Sequence, residues 1–447
     1  MNHDLSSARA LRLAWLCPLA LAVSLSVAEA RAQDLDPQFL QELKALREEQ
    51  ARIAELQARN EAAIRALEAR AGIPSPAPAA AAVAATGAPA SAPAPVASTA
   101  PAGNGVLDRL KVSGDMRLRS QHDASDNDRP NRTTGQVRFR LGATYAYTDR
   151  LTLGARLDTG DNNDPNSVDA QLSNWVDDLD FSLDQVYAQL KVGKNASLYA
   201  GKFPQPFART DLVWDGDVSP QGLAATWKHG LAGGGALRTN AMLFLVDAQP
   251  VGSDTNMGGL QFGYESPASG GFKYDAYAGY YHYSIGSMAG ADSGDWRTNR
   301  LKPDGTFLSD FELFNVLASA TWQGANEKWP VRVVGDYVRN LGAYDDQDTG
   351  FGVDLSLGRA SKPGDWRLTY GYSQTDVDAV LAAFSHDNIG IATNYKLHAL
   401  TVDYTPVPKT TISAIWYHYK PNDPRWAGSN EPGDWLDRFR LFFLMSF

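Results

Sequence analysis

The regular alternation of apolar and polar residues constrains this chain more than any other feature. It extends from residue 107 to residue 447 and is clearest in the last segment, where one phase is wholly apolar: Phe439, Leu441, Phe443 and Met445. The opposite phase includes two arginines and a serine: Arg438, Arg440 and Ser446. A β-strand places alternate side chains on opposite faces, so this segment has one apolar face. Such a strand would be a sticky edge in a soluble sheet, whereas a closed membrane barrel pairs it and covers its apolar face with lipid.

Similar segments recur about sixteen times between residues 107 and 447, for example at residues 137–147 and 151–157. Their connections alternate between tight turns, such as Gly193-Lys194-Asn195, and long polar stretches, such as residues 204–221 and 379–393. Short periplasmic turns and long extracellular loops are typical of single-chain bacterial barrels. We therefore predict an all-β membrane protein with an antiparallel transmembrane β-barrel of about sixteen strands over residues 106–447, both ends of which lie on the periplasmic side. A soluble β-sandwich or propeller, the alternative, would not produce this alternation of turns and loops.

The N-terminus has the pattern of a secretory signal peptide. Arg9 and Arg12 precede an apolar run, Leu13 to Val27, which leads to the cleavage-type sequence Ala30-Arg31-Ala32. The run is shorter than the roughly 20 residues of a membrane-spanning helix, so a cleaved signal over residues 1–32 is favoured over a membrane anchor. The single cysteine, Cys17, falls in this segment, and the expected mature chain therefore has no disulfide or thiolate chemistry.

Residues 33–72 carry a heptad pattern of about five repeats. Its core positions are Phe39, Leu43, Leu46, Gln50, Ile53, Gln57, Asn60, Ile64, Leu67 and Ala71. Polar core residues weaken a coiled coil but fix its register and strand number. We predict an N-terminal α-helical coiled coil in the periplasm that forms a homotrimer through residues 39–71, with a dimer, or a lone amphipathic helix, as the alternatives. Residues 73–105 are mainly Ala, Pro, Ser, Thr and Val, which predicts a semi-extended Ala/Pro-rich linker.

Composition narrows the range of partners and anchors. The formal net charge is −10, which gives no support for a nucleic-acid partner. Hydrophobic residues make up 44% of the chain, yet no stretch after the signal is long and apolar enough for a membrane-spanning helix. The 39 glycines and the many aromatic residues instead suit twisted strands and the aromatic belts of a barrel in outer-membrane lipid.

Five arginines share the phase opposite to the apolar one in the first three predicted strands: Arg117, Arg119, Arg138, Arg140 and Arg156. A barrel of this size encloses an aqueous lumen, and neighbouring strands would bring these side chains together on its wall. Charge at the narrowest part of a pore sets its selectivity. The pattern predicts a basic, pore-lining wall. The alternative is a solvated face whose arginines pair with Asp115, Asp158 and Asp184.

The long connection after Phe203 is a candidate constriction loop. It combines aromatic, basic and acidic residues: Phe207, Arg209, Asp211, Trp214, Asp215 and Asp217. A loop with this aromatic content is poorly suited to water, so we expect it to fold into the lumen. The aromatic residues would then anchor the loop, and its charged residues would line an eyelet. The alternative is a loop packed over the mouth of the barrel.

Two further groups of residues could carry chemistry. Residues 161–169, with Asp177 and Asp178, offer the oxygen ligands that Ca²⁺ prefers, but their spacing does not match the helix-loop-helix calcium pattern. A solvated surface loop is therefore favoured, and no metal or cofactor is predicted. Three strand histidines fall on the outward phase near loop ends: His282, His398 and His418. Without a G-x-S-x-G motif or an H-x-x-x-H pair, they indicate a polar interface, and no enzyme is predicted.

Several stretches of the barrel segment resemble the putative porin family of Gram-negative outer-membrane barrels. They are Gly114–Arg119, Leu183–Gln189, Gly201–Phe207, Thr210–Asp215 and Pro220–Leu223. The most specific of them reads Gly201-Lys-Phe-Pro-Gln-Pro-Phe207, and the resemblance extends over most of residues 113–447. The terminal Phe447 likewise resembles the C-terminal assembly signal of bacterial outer-membrane barrels. The resemblance implies a water-filled diffusion pore and names no solute.

These patterns together predict an outer-membrane porin that lets small hydrophilic solutes or ions diffuse passively and weakly favours anions. The alternative is a structural tether in the outer membrane, whose coiled coil binds peptidoglycan or another periplasmic partner. Wide strands with a polar inner face are unnecessary for a tether, so measurable conductance would distinguish the two functions.

Overall fold

The computed structural model describes residues 105–125, 131–160, 164–172, 179–249, 252–286, 298–324, 326–427 and 434–447. The predicted signal peptide and coiled coil lie outside the described residues, as does the predicted linker up to residue 104. Among the described residues, no helix has the length and apolar character that crossing a membrane requires.

The described residues form strands joined by turns and loops, without an α-helix. The strands are β1 (Leu110–Ser125), β2 (Arg132–Ala146), β3 (Leu151–Thr159), β4 (Ala170–Gln171), β5 (Phe181–Val192), β6 (Ala196–Lys202), β7 (Gln221–Gly230), β8 (Ala236–Asp247), β9 (Thr255–Glu265), β10 (Phe272–Ser284), β11 (Glu312–Trp322), β12 (Val331–Asn340), β13 (Thr349–Gly358), β14 (Trp366–Thr375), β15 (Tyr395–Tyr404), β16 (Thr410–Pro421) and β17 (Leu436–Ser446). Short 3₁₀ helices lie at Leu107–Arg109, Ala382–Phe384 and Pro424–Trp426.

The sixteen long strands close into one antiparallel barrel. Each pairs with the next long strand along the chain, and β1 pairs with both β2 and β17. The two-residue strand β4 is an addition beside β2, so β3 pairs directly with β5. The predicted closed barrel of about sixteen antiparallel strands is confirmed.

The last residue of the chain lies at the junction of β1 and β17. The backbone N–H of Phe447 donates to the carbonyl oxygen of Gly114 at 3.0 Å, and that of Gly114 donates back at 3.3 Å. A Cβ atom on Gly114 would lie 2.4 Å from Cζ of Phe447, so only glycine admits the ring here. The aromatic terminus thus packs directly on the strand that closes the barrel.

Alternation separates an apolar outer face from a polar inner face. Leu153 and Phe443 are 42% and 36% exposed and lie on the outer face, as their phase predicted. Phe139 shares that face and is partly covered by Phe181 and Phe447, whose ring centroids lie 6.0 and 6.2 Å away. Lipid is the solvent that suits such a face.

One irregularity brings extra polar groups into the lumen. The register between β3 and β5 shifts between Arg156 and Leu157, which is the signature of a β-bulge. As a result, two consecutive residues of β5, Asp184 and Gln185, are both buried, at 7% and 5% exposure. The bulge therefore places an acid and an amide beside Arg156.

Candidate functional site: a lumen lined by inserted loops

The loop between β6 and β7, residues 203–220, lies inside the barrel. Its aromatic residues Phe203, Phe207 and Trp214 are only 0%, 4% and 1% exposed. The backbone N–H of Phe203 donates to the carbonyl oxygen of Pro220 at 2.9 Å and closes the base of the loop. Trp214 packs edge-to-face on Tyr281 of β10, with 5.7 Å between ring centroids. Inward-facing side chains of the wall therefore cover the apolar part of the loop.

Polar side chains of the wall fix the path of this loop. The Gln261 side chain on β9 accepts from the backbone N–H of Ala208 and donates to its carbonyl oxygen, both at 2.8 Å. The hydroxyl of Thr210 donates to the Asp336 carboxylate on β12. Because β9 and β12 are separated by two strands, these bonds hold the loop across the lumen rather than along one strand.

A second loop, residues 376–394, also enters the lumen. Val380, Leu381 and Phe384 are 0%, 1% and 4% exposed. Phe384 stacks on Trp214 with ring centroids 5.8 Å apart, and its carbonyl oxygen accepts from the backbone N–H of Asp215 at 2.8 Å. The sequence reasoning treated this connection only as a long polar loop. The sequence feature that this reasoning overlooked is the apolar run from Val380 to Phe384, because an apolar run is unfavourable in a loop that is exposed to water.

A third segment straps the second loop in place. The Asn299 side-chain amide donates to the carbonyl oxygens of Val377 and Val380 at 2.8 and 2.9 Å. Arg300 bonds Asp378 at 2.8 Å and Asp345 at 2.6 Å. Burial alone would lower the pKa of Arg300, but its bonds to Asp345 and Asp378 raise the pKa above the ordinary value, so the side chain stays positively charged. The strap is therefore held by permanent charges.

The five arginines predicted to line the pore, here called the arginine wall, all lie on the inner face, and each has a carboxylate partner. Arg138 and Arg140 share Asp115, at 2.9 and 2.7 Å. The same two arginines reach Asp217 of the first loop, at 3.7 and 3.0 Å. An inserted loop is thus bonded to the wall by charge as well as by apolar packing.

The remaining members of the arginine wall are also paired. Arg117 and Arg119 both bond Asp169, whose side chain is 2% exposed. Arg156 bonds Asp184 on β5. Asp115 and Asp184 are therefore partners, as the alternative interpretation expected, whereas Asp158 has no ion pair within 4.0 Å among the described residues.

The expectation of a solvated loop at residues 161–169 is wrong for Asp169. Its carboxylate is buried because it forms ion pairs with two inward-facing arginines. Guanidinium groups can satisfy a buried carboxylate, so this part of the loop enters the lumen together with Asp169. Residues 161–163 and 173–178 lie outside the described residues.

Two further arginines extend the wall onto β17. Arg438 bonds Asp123 at 2.5 Å, while Arg440 bonds Gln121 Oε1 at 2.8 Å and Asn388 Oδ1 at 3.1 Å. Sequence reasoning placed both on the polar phase but omitted them from the site. The available signal was closure itself, since β17 must lie beside β1 and its polar phase must join the same wall.

Two acids of the first loop, Asp215 and Asp217, have pKa values that are shifted in opposite directions. Burial would raise the pKa of Asp217, but the guanidinium groups of Arg138 and Arg140 outweigh it and lower that pKa to about 2. Burial and the neighbouring carboxylates of Asp211 and Asp217 raise the pKa of Asp215 well above its ordinary value. Asp215 therefore binds a proton at a higher pH than Asp217, although the two are only two residues apart, because only Asp217 contacts the arginines.

The lumen has a filled half and a half with small polar side chains. Against the inner faces of β6 to β12 the loops build an apolar core whose main members are Tyr199, Phe203, Phe207, Trp214, Phe244, Tyr281, Tyr283, Leu313, Val338 and Phe384. The inner faces of β13 and β14 instead include partly exposed or small residues: Gly352, Ser356, Thr369, Gly371 and Ser373. On β15, Tyr395 and Leu397 are buried in a second apolar cluster, while Thr401 is partly exposed. The small side chains leave room in the lumen along β13, β14 and the Thr401 end of β15.

Asp211 is the charged residue of the first loop that stays accessible. Its side chain is 51% exposed, whereas that of Arg209, 3.6 Å away, is 12% exposed. Asn388 of the second loop donates to the Asp211 carboxylate at 3.2 Å. The six residues predicted for the constriction loop thus divide into three groups: the buried anchors Phe207 and Trp214, the wall-bonded or buried acids Asp215 and Asp217, and a loop edge made of the exposed Asp211 and the largely covered Arg209.

The sequence was next compared with known families and proteins. Residues 123–285 match the family model described as "Putative porin". The match confirms the resemblance to the putative porin family. It covers β2 to β10 and includes the whole first loop with its anchors. No curated protein matches the sequence.

Several solved structures are similar to this chain. The high-pH structure of Pseudomonas putida OprB superposes with a TM-score of 0.53 at 12% identity, covering 76% of this chain and 95% of that chain. Salmonella typhi OmpF in complex with daunomycin gives 0.47 at 13% identity, covering 76% and 97%. The trimer form of Vibrio cholerae OmpT gives 0.43 at 10% identity, covering 76% and 99%. The likeness to OprB concerns the fold alone. Family match and fold together support an outer-membrane channel rather than an enzyme.

Proposed function

We propose that this protein is an outer-membrane porin through which small hydrophilic solutes or ions diffuse passively, with a weak preference for anions. The observation that carries the proposal is the pair of inserted loops, whose main apolar core packs against β6 to β12 and leaves small polar side chains on the inner faces of β13 and β14. A tether would need no such division. In a pore, by contrast, inserted loops narrow the passage and set its selectivity.

The passage is proposed to run between the loop edge at Arg209 and Asp211 and the wall formed by Ser356, Thr369 and Thr401. The aromatic anchors keep that edge in place, and the bonds from Arg138 and Arg140 to Asp217 keep it from swinging out. The loop residues Phe207, Trp214, Asp215 and Asp217 would then support the eyelet, and Asp211, with Arg209 beside it, would face the solute.

The weak preference for anions is proposed from the arginine wall. Its carboxylate partners cancel part of its charge, so any field it projects into the passage is small. Arg440 adds a charge that meets the neutral acceptors Gln121 and Asn388 in place of a carboxylate. Screening over about 8 Å at physiological salt confines these charges to their neighbourhood.

Planar-bilayer recording of the purified chain tests the channel. We expect discrete conductance steps that rise in proportion to salt concentration, as a water-filled pore requires. Insertion into the bilayer without conductance would refute the proposal and leave the tether as the function.

The tether remains the second candidate because of the heptad pattern at residues 39–71, which lies outside the described residues. We propose that this segment associates as a homotrimer in the periplasm. A periplasmic partner such as peptidoglycan would bind to this coil. To test that role, pull-down of peptidoglycan by the full chain is compared with pull-down by a chain that lacks residues 33–72.

A further inference from the structure

A dense aromatic and basic cluster lies on the outer face at the extracellular end of β14 to β17. We call it the rim cluster; its residues are Tyr370, Lys396, His398, His418, Lys420 and Trp435. The β15–β16 connection at the opposite end is a tight turn after Tyr404, which marks that end as periplasmic. The rim cluster is therefore level with the outer leaflet.

Ring contacts hold the cluster together. His418 stacks on Trp435 with centroids 4.2 Å apart and planes 7° apart. The Lys420 ammonium lies 4.7 Å from the Trp435 ring centroid, within cation–π range. His398 lies 5.7 Å from the same ring, and its Nδ1 is 2.8 Å from the Tyr370 hydroxyl. These contacts fix the rings in a rigid outward-facing surface.

The cluster carries positive charge that no carboxylate of the described residues neutralises. Lys396 and Lys420 are direct cross-strand partners, an arrangement that like charges disfavour. Within the described part of the chain, neither ammonium lies within 4.0 Å of a carboxylate. Asp437, an acid beside the cluster, is engaged by Trp416 Nε1 at 2.6 Å and by His418 Nδ1 at 2.9 Å. An anion from outside the chain would resolve the repulsion between the lysines.

An apolar groove of about 370 Å³ lies directly below the cluster, toward the middle of the membrane. The strand register places it there: the rung Lys396–Lys420 is followed by His398–His418, then by Leu400–Trp416 and Val402–Ala414. Leu400, Val402, Ala414, Trp416, Phe439 and Leu441 line the groove. Trp416 and Phe439 stack with centroids 6.3 Å apart.

We propose that the rim cluster and this groove together bind one lipid of the outer leaflet that bears a phosphate headgroup. The phosphate would lie on Lys396 and Lys420, and an acyl chain would fill the groove. Basic residues at a membrane surface attract anionic headgroups, and an acyl chain gains from burial in an apolar groove. The proposal goes beyond diffusion through the lumen and depends on membrane insertion, not on conduction.

Native mass spectrometry of the full chain in detergent tests the headgroup contact, with dioleoyl phosphatidic acid as the anionic probe and dioleoyl phosphatidylcholine as the zwitterionic one. We expect the K396Q/K420Q variant to bind phosphatidic acid roughly tenfold to thirtyfold more weakly than the unmodified chain, with phosphatidylcholine binding little changed. The matched control is K328Q/K362Q, which removes two exposed lysines from other turns and should bind both lipids normally. Equal binding of phosphatidic acid by K396Q/K420Q and the unmodified chain would overturn the proposal.

The groove is tested separately by A414W, which fills it with an apolar side chain on a lipid-facing position. We expect A414W to bind both lipids more weakly, because both present the same acyl chains. Inorganic phosphate should fail to displace bound phosphatidic acid; efficient displacement would show a site for free phosphate instead of a lipid. If lipid binding fails while the unmodified chain conducts, only this inference is lost. If binding holds without conductance, only the channel is lost.

Discussion

At the scale of single residues, Asp217 illustrates how the lumen is organised. It is the loop acid that both Arg138 and Arg140 reach, at 3.7 and 3.0 Å. Its neighbour Asp215, which is 6% exposed, accepts the backbone N–H of Asp217 at 2.7 Å and has no ion pair with an arginine of the described residues. The position of the loop edge therefore depends on one carboxylate that must stay ionised.

This dependence predicts an acid-sensitive anchor. The folded pKa of Asp217 is depressed to about 2 from 3.8, so its contribution to stability is fully present above the unfolded pKa and is lost as pH falls through the folded value. We expect the thermal midpoint of the unmodified barrel to drop over that acid range, and the D217N variant to lack this part of the drop. Circular dichroism melts at successive pH values measure it, and identical pH profiles for the two chains would contradict it.

Selectivity gives a second prediction at this scale. Replacing Arg138 and Arg140 with Ser removes two cations from the arginine wall and leaves Asp115 and Asp217 unpaired, so the chloride-to-potassium permeability ratio should fall. Reversal potentials in a KCl gradient measure the ratio. R425S, which removes an exposed arginine at the rim, should leave it unchanged. An unchanged ratio in R138S/R140S would show that this wall does not set selectivity.

The inward direction of these arginines could be predicted from sequence, because parity along a strand fixes the face of every side chain. Their partners could not. Asp169 and Asp217 lie on loops, where no period relates sequence position to direction, and only the folded chain shows that both reach the wall.

At the scale of strands and loops, the alternating pattern makes a quantitative prediction about the outer face. L153R places a charge in lipid and should lower the free energy of unfolding by about 2–4 kcal/mol if the site is near the midplane. T152R, one residue earlier on the inner face, is the matched control and should cost much less, because its charge meets the aqueous lumen. Urea titration of the folded proteins in lipid vesicles compares the two. A similar cost for both variants would argue against the assignment of faces.

The contact between the two inserted loops can be tested in the same way. Phe384 is 4% exposed and touches Trp214 and Phe244, so F384A should destabilise the loop core by about 3–5 kcal/mol. We expect larger and noisier conductance steps, because the edge at Asp211 loses its support. F351A, which truncates a lipid-facing ring, is the control and should conduct normally. Unaltered steps in F384A would show that the second loop does not support the constriction.

The strands and the first inserted loop followed from patterns that have a simple physical cause: alternation for strands, aromatic residues unsuited to water for the loop. The second loop was missed because Val380 to Phe384 is only five residues long, too short to stand out among sixteen apolar strands. The strap at Asn299 and Arg300 has no local pattern at all, since its partners lie 45 to 81 residues further along the chain.

At the scale of the whole molecule, the heptad segment predicts association outside the membrane. A peptide spanning residues 34–72 should sediment as a trimer at high concentration, because its apolar heptad positions would otherwise face water. Analytical ultracentrifugation measures this, and an L43N/I53N peptide should remain monomeric. A monomeric unmodified peptide would contradict the prediction.

Because one half of the lumen is filled, a passage beside β13 to β15 would be a slit against one wall rather than a round hole at the axis. A slit sorts molecules by their thinnest dimension. A long, flexible solute could thread it end-on, while a compact solute of the same mass would be delayed. The rates of liposome swelling with linear and branched sugars of equal mass would then differ according to the shape of the sugar. The protein would select flat or extended molecules rather than exclude solutes above a given molecular weight.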